Sequence, residues 1–310
     1  MKAKVTVVGA GNVGAVVANM IAIKGYADIS LIDINEDLAK GKSIDISQQC
    51  ALLNSDSKVI GSNDYSITEN SDITVITAGF PRKPGMKREE LIETNSKIVK
   101  EIVEKIKLYS PSTIFIVVTN PVDTISYLTY KVSGLEREKV IGMGGVLDTA
   151  RFKYYIKQKL NVSYNSINAV VLGGHGDEMV PAVSLTNVAG KPLKELLSQE
   201  EIDEIVNKTR NGGAEIVNLL KTGSAYYAPG IAVVKMIESI LFDKNEILPC
   251  SVFCKGEYGI NELFFGLPVK LNRNGINEIV EITLTEEERN LLKKSVESVK
   301  ITHEIVNKII

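Results

Sequence analysis

A glycine-rich turn near the N-terminus constrains the fold of this chain more than any other feature. The turn follows a valine-rich run and precedes a helical stretch that ends at Gly25. In such a strand–turn–helix unit the first glycine permits the tight turn, the second lets the backbone approach a ligand, and the third lets the helix pack on the strand. Phosphates then bind the free N–H groups where the helix begins. We therefore predict a dinucleotide site formed by Gly9, Ala10, Gly11, Asn12, Val13 and Gly14.

An aspartate at the end of the next predicted strand indicates which dinucleotide binds. Asp33 comes 19 residues after Gly14 (33 − 14), where it is placed to accept hydrogen bonds from a ribose 2′-OH. Its charge would repel a 2′-phosphate, and its neighbours Ile34 and Asn35 offer no cation to offset that repulsion. The sequence therefore favours NAD over NADP as the cofactor.

Strand-like and helical stretches alternate through the first half of the chain. Valine-rich and isoleucine-rich runs predict strands at 4–8, 29–33, 73–77, 114–119 and 140–142, and helical patterns fall at 13–24, 89–109 and 121–132. Such alternation implies parallel βαβ units with helices on both faces of one sheet. We therefore predict an α/β fold with a Rossmann-type doubly wound parallel sheet, and assign residues 1–144 to this NAD-binding domain.

The second half has a different pattern, with strands and helices grouped rather than alternating. Strand-like runs lie at 167–172 and 180–187, helices at 200–220 and 227–241, and a strand meander at 247–253, 268–271 and 275–284. A final helix begins at Glu286, where Thr285 and Glu288 match a capping box. We predict that residues 145–310 form a mixed α+β substrate domain, with the boundary near Gly144-Gly145.

Charge and composition exclude several classes of protein. The net charge of −2 gives no broad basic field for nucleic acid or an acidic membrane surface. The apolar run near the N-terminus is interrupted by the glycine turn, which argues against a signal peptide or membrane anchor. The three cysteines, Cys50, Cys250 and Cys254, suit a reducing compartment and core packing, and with only two histidines we expect no metal site. A cytoplasmic protein is expected.

Three further segments carry residues suited to chemistry. Residues 77–88 follow a strand and hold four cations, and residues 118–123 lie at the carboxyl end of another strand, where open α/β sheets bind ligands. His175 lies among glycines, which favours an exposed loop over an apolar core position. Asp148 and Arg151 are three residues apart and share one face of a helix. A carboxylate near the imidazole would fix its tautomer and stabilise its charged form.

Taken in order along the chain, these motifs resemble the lactate/malate dehydrogenase family. The resemblance rests on the glycine turn, Asp33 and four motifs: Thr-Ala-Gly with Arg-Lys-Pro-Gly-Met, Val-Thr-Asn-Pro-Val-Asp, Leu-Asp-Thr-Ala-Arg-Phe and Gly-Gly-His-Gly-Asp-Glu. It covers essentially the whole chain and is most specific for the lactate-dehydrogenase-like malate dehydrogenases of bacteria and archaea. It implies NAD, a small 2-hydroxy acid as substrate, and a homodimer or homotetramer.

The resemblance also implies a role for each motif. His175 would accept the hydroxyl proton, and Asp148 would orient it and raise its pKa. Arg151 would pair with the substrate C1 carboxylate, and Arg88 would polarise the C2 oxygen. The resemblance further implies that Asn120 binds both the substrate and the cofactor, that Val118 and Thr119 line the nicotinamide side, and that Asn95 contacts NAD.

Arg82 indicates the substrate. By resemblance, this loop position carries Gln in lactate enzymes and Arg in malate enzymes. Malate has a second carboxylate, and burying that charge without a cation opposite it would cost roughly 3–5 kcal/mol. Ala225 stands where lactate enzymes usually have Thr, which leaves room for a longer substrate. Malate oxidation to oxaloacetate is therefore expected.

Three alternatives remain open at the level of sequence. An L-lactate or other 2-hydroxyacid dehydrogenase would turn Arg82 to solvent, and relative rates on oxaloacetate and pyruvate separate the two. An NAD-dependent glycosidase shares a similar nucleotide-binding half but needs a metal-binding Cys/His set that is not evident. A non-catalytic NAD-binding protein would require a broken site, whereas the candidate arginines, Asp148 and His175 are all present.

Overall fold

The first half of the chain forms a parallel sheet with helices on both faces. The structure is a computed structural model that describes residues 2–81 and 88–309, except for the side chain of Arg88. Its strands in this half are β1 Ala3–Val8, β2 Ala27–Ile32, β3 Val59–Ser62, β4 Ile73–Ile76, β5 Ile114–Val117 and β6 Val140–Gly142. Its helices here are α1 Asn12–Lys24, α2 Glu36–Leu53, α3 Arg88–Tyr109 and α4 Val122–Ser133.

The strand order places a ligand-binding crevice at the edge where β1 and β4 end. The six strands follow the order β3-β2-β1-β4-β5-β6, and every neighbouring pair is parallel. The order reverses direction between β1 and β4, and open α/β sheets bind ligands outside the carboxyl ends of the strands at such a point. The predicted Rossmann-type sheet is confirmed, and the glycine turn lies at this point.

The second half contributes five helices and eight strands within the described residues. The helices are α5 Gly145–Leu160, α6 Leu193–Leu196, α7 Gln199–Leu220, α8 Tyr227–Leu241 and α9 Glu286–Val306. The short strands are β7 Ile167–Asn168, β8 Val171–Leu172, β9 Val180–Pro181, β10 Asn187–Val188 and β11 Lys191–Pro192, and the long ones are β12 Glu246–Lys255, β13 Asn261–Asn272 and β14 Gly275–Ile279.

The three long strands continue the sheet of the first half. Antiparallel to one another, they join it through a bridge between Ser251 and Gly142, so that one sheet of nine described strands crosses the predicted boundary. β13 is longer than predicted because it pairs with β12 along most of its length, across Gly266 and Pro268. A Cβ at Gly266 would lie 2.2 Å from the carbonyl oxygen of Gly173, so glycine is required where the histidine loop packs on the strand.

Two apolar layers cover the sheet. On one face, Val5 and Val7 of β1 pack with α1 and α8, and on the other, Val8 packs with α3 and α4. A third cluster joins α5 and α7 around Phe152 and Ile205. All three cysteines are free and buried, as the core interpretation predicted. In the described part of the chain, no helix is both long and apolar enough to span a bilayer.

His303 is a structural histidine in the interior of α9. Its Nδ1 lies 3.0 Å from the carbonyl oxygen of Val299, and its Nε2 accepts the main-chain N–H of Phe264 at 3.2 Å. The ring packs 4.6 Å from the ring of Tyr127. Burial lowers the pKa of His303 from its ordinary 6.5 to about 4, because the charged ring would be desolvated and Nε2 would lose its role as acceptor.

His303 is therefore expected to make the protein less stable in mild acid. The unfolded chain binds the proton more tightly, so this contribution is fully present above pH 6.5 and is lost as the pH falls towards 4. The free energy of unfolding should fall by about 2 kcal/mol more between pH 7.5 and pH 5 in the wild type than in His303→Gln. Urea unfolding at fixed protein concentration measures this free energy in the wild type and in the variant. Parallel pH dependences in the two proteins would contradict this assignment.

Candidate active site

The glycine turn connects β1 to α1 in the strained geometry that its residue types permit. Gly9 has a φ of +106°, and a Cβ there would lie 2.6 Å from the hydroxyl of Thr77 at the end of β4. A Cβ at Gly14 would lie 1.9 Å from the carbonyl oxygen of Gly9. Glycine at both positions therefore lets the first turn of α1 lie directly against the strand end, as the motif predicted.

The start of α1 has the features of an anion-binding site. Gly11 is its N-cap residue and makes no side-chain cap hydrogen bond, so side-chain capping does not occupy the N–H groups of the first turn. A Cβ at Gly11 would meet nothing within 4 Å, which leaves open space beside the backbone. The residues fit the diphosphate of a dinucleotide, which would lie against these N–H groups and the positive end of the helix dipole.

Asp33 lies beside the turn, just after β2. Its Oδ2 accepts the main-chain N–H of Ala10 at 2.7 Å, and its Oδ1 accepts that of Asn35 at 2.9 Å. The carboxylate therefore also braces the glycine turn, a role that sequence reasoning did not assign. These two bonds hold it at the mouth of the crevice, where the predicted ribose contact would be made.

The segment after β5 lines the same edge of the sheet. Val118 and Thr119 are largely buried, and the Thr119 hydroxyl donates to the carbonyl oxygen of Ala78 at 2.7 Å. Asn120 is exposed and precedes a cis peptide bond to Pro121. This arrangement presents Asn120 to the crevice, and the two residues before it, Val118 and Thr119, form the crevice wall.

Asn95 supports this wall from behind. Its side chain is fully buried: Oδ1 accepts the N–H of Phe80 at 2.8 Å, and Nδ2 donates to the carbonyl oxygens of Phe80 and Asn120 at 3.2 and 2.7 Å. The amide thus ties the chain after β4 to the chain after β5. The direct contact with NAD that the resemblance implied for Asn95 stays a prediction.

The second half of the chain brings a histidine, a carboxylate and an arginine together. His175 Nδ1 lies 2.8 Å from Asp148 Oδ2, and Arg151 Nη1 lies 3.2 Å from Asp148 Oδ1. Asp148 is only 2% exposed, whereas the side chains of His175 and Arg151 are 15% and 16% exposed. A buried carboxylate therefore holds an imidazole and a guanidinium that both retain access to solvent, and Asp148 and Arg151 share one face of α5, as their spacing predicted.

The electrostatics of this group favour a protonated imidazole. Burial of His175 opposes its charged form, and Arg151 does so as well. The negative charge and the hydrogen bond of Asp148 outweigh both effects, with a smaller contribution from Asp123. The pKa of His175 consequently lies above the ordinary 6.5. With Nδ1 held by Asp148, Nε2 is the nitrogen that exchanges a proton with a ligand.

Asp123 is a residue of this site for which sequence reasoning gave no role. It closes the Val-Thr-Asn-Pro-Val-Asp motif and lies in the first turn of α4, where it is 6% exposed. Its Oδ2 accepts the main-chain N–H of His175 at 2.8 Å. The sequence did place this carboxylate shortly after a strand, at the sheet edge where ligands bind. Its partner, however, lies 52 residues away in sequence, so the contact was not predictable from the motif.

Three further residues were predicted at the site from the sequence. Arg82 lies outside the described residues, and so does the side chain of Arg88, whose backbone begins α3. Ala225 is half-buried in the segment between α7 and α8. The roles predicted for these three residues rest on the sequence.

Comparison with protein families accounts for nearly the whole chain. The lactate/malate dehydrogenase NAD binding domain matches residues 3–142, and the lactate/malate dehydrogenase alpha/beta C-terminal domain matches residues 145–308. The malate dehydrogenase of Chlorobium chlorochromatii is 53% identical over 298 residues, which are 96% of each chain. That of Roseiflexus sp. is 48% identical over 299 residues, covering 96% of this chain and 97% of its own.

Solved structures agree in fold over the same length. Malate dehydrogenase from Cryptosporidium parvum has a TM-score of 0.97 at 40% identity, covering 99% of this chain and all of its own. The Picrophilus torridus malate dehydrogenase has a TM-score of 0.96 at 45% identity, with 99% and 98% covered. A Cryptosporidium parvum lactate dehydrogenase, complexed with lactic acid and nicotinamide adenine dinucleotide, has 0.96 at 41% identity, with 99% and 98% covered. The chain therefore belongs to the lactate/malate dehydrogenase family, as its motifs indicated.

Proposed function

We propose that this protein is an NAD-dependent malate dehydrogenase that interconverts (S)-malate and oxaloacetate. The observation that carries the proposal is the Asp148 carboxylate, which holds His175 and Arg151 side by side at distances of 2.8 and 3.2 Å. The group lies in the half of the chain that follows the NAD-binding turn. This arrangement favours an enzyme over the non-catalytic alternative, because the residues proposed for proton transfer and carboxylate binding lie together.

Each residue of the site has a defined task in this reaction. The glycine turn and Asp33 would hold NAD, and the bound cofactor would supply the acceptor for the hydride of substrate C2. Arg151 pairs with the C1 carboxylate through its guanidinium and so orients the substrate. His175 takes the hydroxyl proton on Nε2 during oxidation and returns it to the C2 oxygen during reduction. Asp148 keeps Nδ1 protonated and stabilises the imidazolium.

Several supporting roles come from the sequence and the family. Arg88 would polarise the C2 oxygen as negative charge develops on it, and Asn120 would donate to the substrate. Asp33 favours NAD over NADP, since its negative charge would accept hydrogen bonds from a ribose 2′-OH and repel a 2′-phosphate, and two main-chain N–H groups hold it beside the phosphate turn. A homodimer or homotetramer and a cytoplasmic location remain expectations from the resemblance. Sedimentation of the purified protein measures the oligomeric state.

The choice of malate over lactate depends on Arg82. The solved relatives of this fold include both a malate and a lactate dehydrogenase at about equal identity, 40% and 41%, so overall likeness does not decide the substrate. The curated relatives named above are malate dehydrogenases. Arg82 supplies a physical reason, because the second carboxylate of malate needs a cation opposite it when water is excluded.

Replacing His175 by Asn should remove turnover and spare cofactor binding. A general acid–base group contributes about 10²–10⁴-fold to the rate, so kcat for oxaloacetate reduction should fall by that factor. The dissociation constant for NADH, followed by cofactor fluorescence, should stay near that of the wild type. The matched control is His303→Gln, which changes the other histidine and should keep kcat. Retained turnover in His175→Asn would mean that the proton comes from another group.

The two directions of the reaction should respond oppositely to pH. Oxaloacetate reduction needs protonated His175 and should fall as the pH rises through its raised pKa, whereas malate oxidation should increase over the same range. In Asp148→Asn both midpoints should move to lower pH, because the charge that stabilises the imidazolium is gone. Initial rates across the pH range measure this. Unchanged midpoints in the variant would contradict the role of Asp148.

Replacing Arg82 by Gln should change the substrate preference. The value of kcat/KM for oxaloacetate should fall by about two to three orders of magnitude, because the second carboxylate loses its partner. Activity on pyruvate should rise relative to it. Lys83→Gln removes a neighbouring positive charge of the same segment and should leave the preference for oxaloacetate in place. A wild type that prefers pyruvate would overturn the choice of malate and leave the His175 chemistry intact.

A further inference from the structure

A second buried carboxylate, Asp123, contacts the main chain of His175, whereas Asp148 contacts its ring. Asp123 Oδ2 accepts the main-chain N–H of His175 at 2.8 Å, and Oδ1 accepts the hydroxyl of Ser251 at 2.6 Å. Both oxygens therefore act as acceptors, which is the pattern of an ionised carboxylate. The contact joins α4, the histidine loop and β12, which are distant in sequence.

Three successive main-chain groups hold the loop that carries the imidazole. The N–H of Gly173 donates to the carbonyl oxygen of Gly266 at 2.9 Å, and that of Gly174 donates to the hydroxyl of Ser295 at 2.9 Å. The third, that of His175, donates to Asp123. A Cβ at Gly174 would lie 2.5 Å from the Val299 side chain, so the loop is closely packed. Of the three acceptors, only Asp123 is a charged group.

Among the described residues, three charged side chains act on His175 from the elements packed against it. Asp148 and Arg151 do so from α5, and Asp123 does so from α4. β12, β13 and α9 contribute the uncharged Ser251, Gly266 and Ser295 to the contacts described above. On its own loop, Asp177 and Glu178 are exposed to solvent, where water screens their charges.

We propose that Asp123 is a second positioning carboxylate for His175, fixing the main chain that carries the imidazole while its negative charge stabilises the imidazolium. Asp148 acts on the ring, and Asp123 acts on the backbone behind it. Burial holds the pKa of Asp123 above its ordinary value, and the hydrogen bonds from Ser251 and His175 offset only part of that effect in favour of the ionised form. The assignment of a proton-transfer task to this positioning rests on the proposed function.

Two substitutions separate the positioning contact from the charge. In Asp123→Asn, the amide oxygen can still accept the His175 N–H, and the Ser251 hydroxyl, which donates to Asp123, would instead accept from the amide NH₂, so both contacts are kept while the charge is lost. In Asp123→Ala, both contacts are lost and the His175 N–H is left without its acceptor. The matched control is Thr124→Val. Thr124 lies next to Asp123 in α4, and the substitution removes its buried hydrogen bond of 2.8 Å to Thr302 in α9.

The first readout is the titration of His175 by NMR, in full-length protein with ¹³C-labelled histidine. The chain has only two histidines, and His303→Gln assigns the signals. In Asp123→Asn the midpoint of His175 should move about one pH unit lower, because an opposite charge within a few ångströms has gone. Thr124→Val should titrate like the wild type. An unchanged midpoint in Asp123→Asn would overturn the proposal.

The second readout is the rate of oxaloacetate reduction, measured at the pH optimum of each variant. Asp123→Asn should keep kcat within a few-fold of the wild type, whereas Asp123→Ala should lose about 10²-fold, since displacement of a catalytic group by about 1 Å has that effect. Equal kcat values in the two variants would overturn the positioning role. If Asp123→Ala does not fold, the titration of Asp123→Asn decides whether the charge of Asp123 stabilises the imidazolium, and Asp123→Ser replaces Asp123→Ala in the kcat test of positioning.

The two readouts keep this proposal separate from the proposed function. The NMR titration needs neither substrate nor turnover, so it tests the coupling of Asp123 to His175 even in a protein that does not reduce oxaloacetate. A wild type that turns over oxaloacetate, combined with an unshifted midpoint in Asp123→Asn, would overturn only the role of Asp123.

Discussion

The shared carboxylate of Asp148 is the interaction on which the site depends. It is almost fully buried, and its two oxygens contact His175 and Arg151. These two contacts offset the free-energy cost of removing the carboxylate from water. The same contact fixes the imidazole tautomer and orients the guanidinium. Removing this carboxylate would leave Arg151 without its ion-pair partner and the His175 ring without its orienting bond.

The fold supplies the rigid frame that this contact requires. Gly142 of β6 is bridged to Ser251 of β12, so strands of the second half extend the parallel sheet of the first. Ser251 then donates to Asp123 in α4, and Asp123 accepts from His175. A chain of short hydrogen bonds thus connects the sheet, the helix that follows the Asn120 segment and the histidine loop.

The sequence predicted the local parts of this structure well. The strand–turn–helix unit, the alternation of the first half and the capping box of α9 are confirmed, because each depends on residues that are near in sequence. α2 and β3 were not predicted. Asn35 caps α2, and β3 pairs with β2 through main-chain hydrogen bonds. The stability of elements such as these depends largely on packing against neighbouring elements.

The sequence by itself determined the fold class, the dinucleotide turn and the residue types of the candidate site. Glycines at a strand end and a histidine among glycines leave few alternatives to a closely approached loop. Only the tertiary structure decided that one sheet spans both halves, that Asp148 divides its oxygens between an imidazole and a guanidinium, and that Asp123 accepts a hydrogen bond from His175 across 52 residues of chain. The reason is physical: local patterns set φ, ψ and burial, whereas contacts between distant residues depend on how the packed elements are brought together.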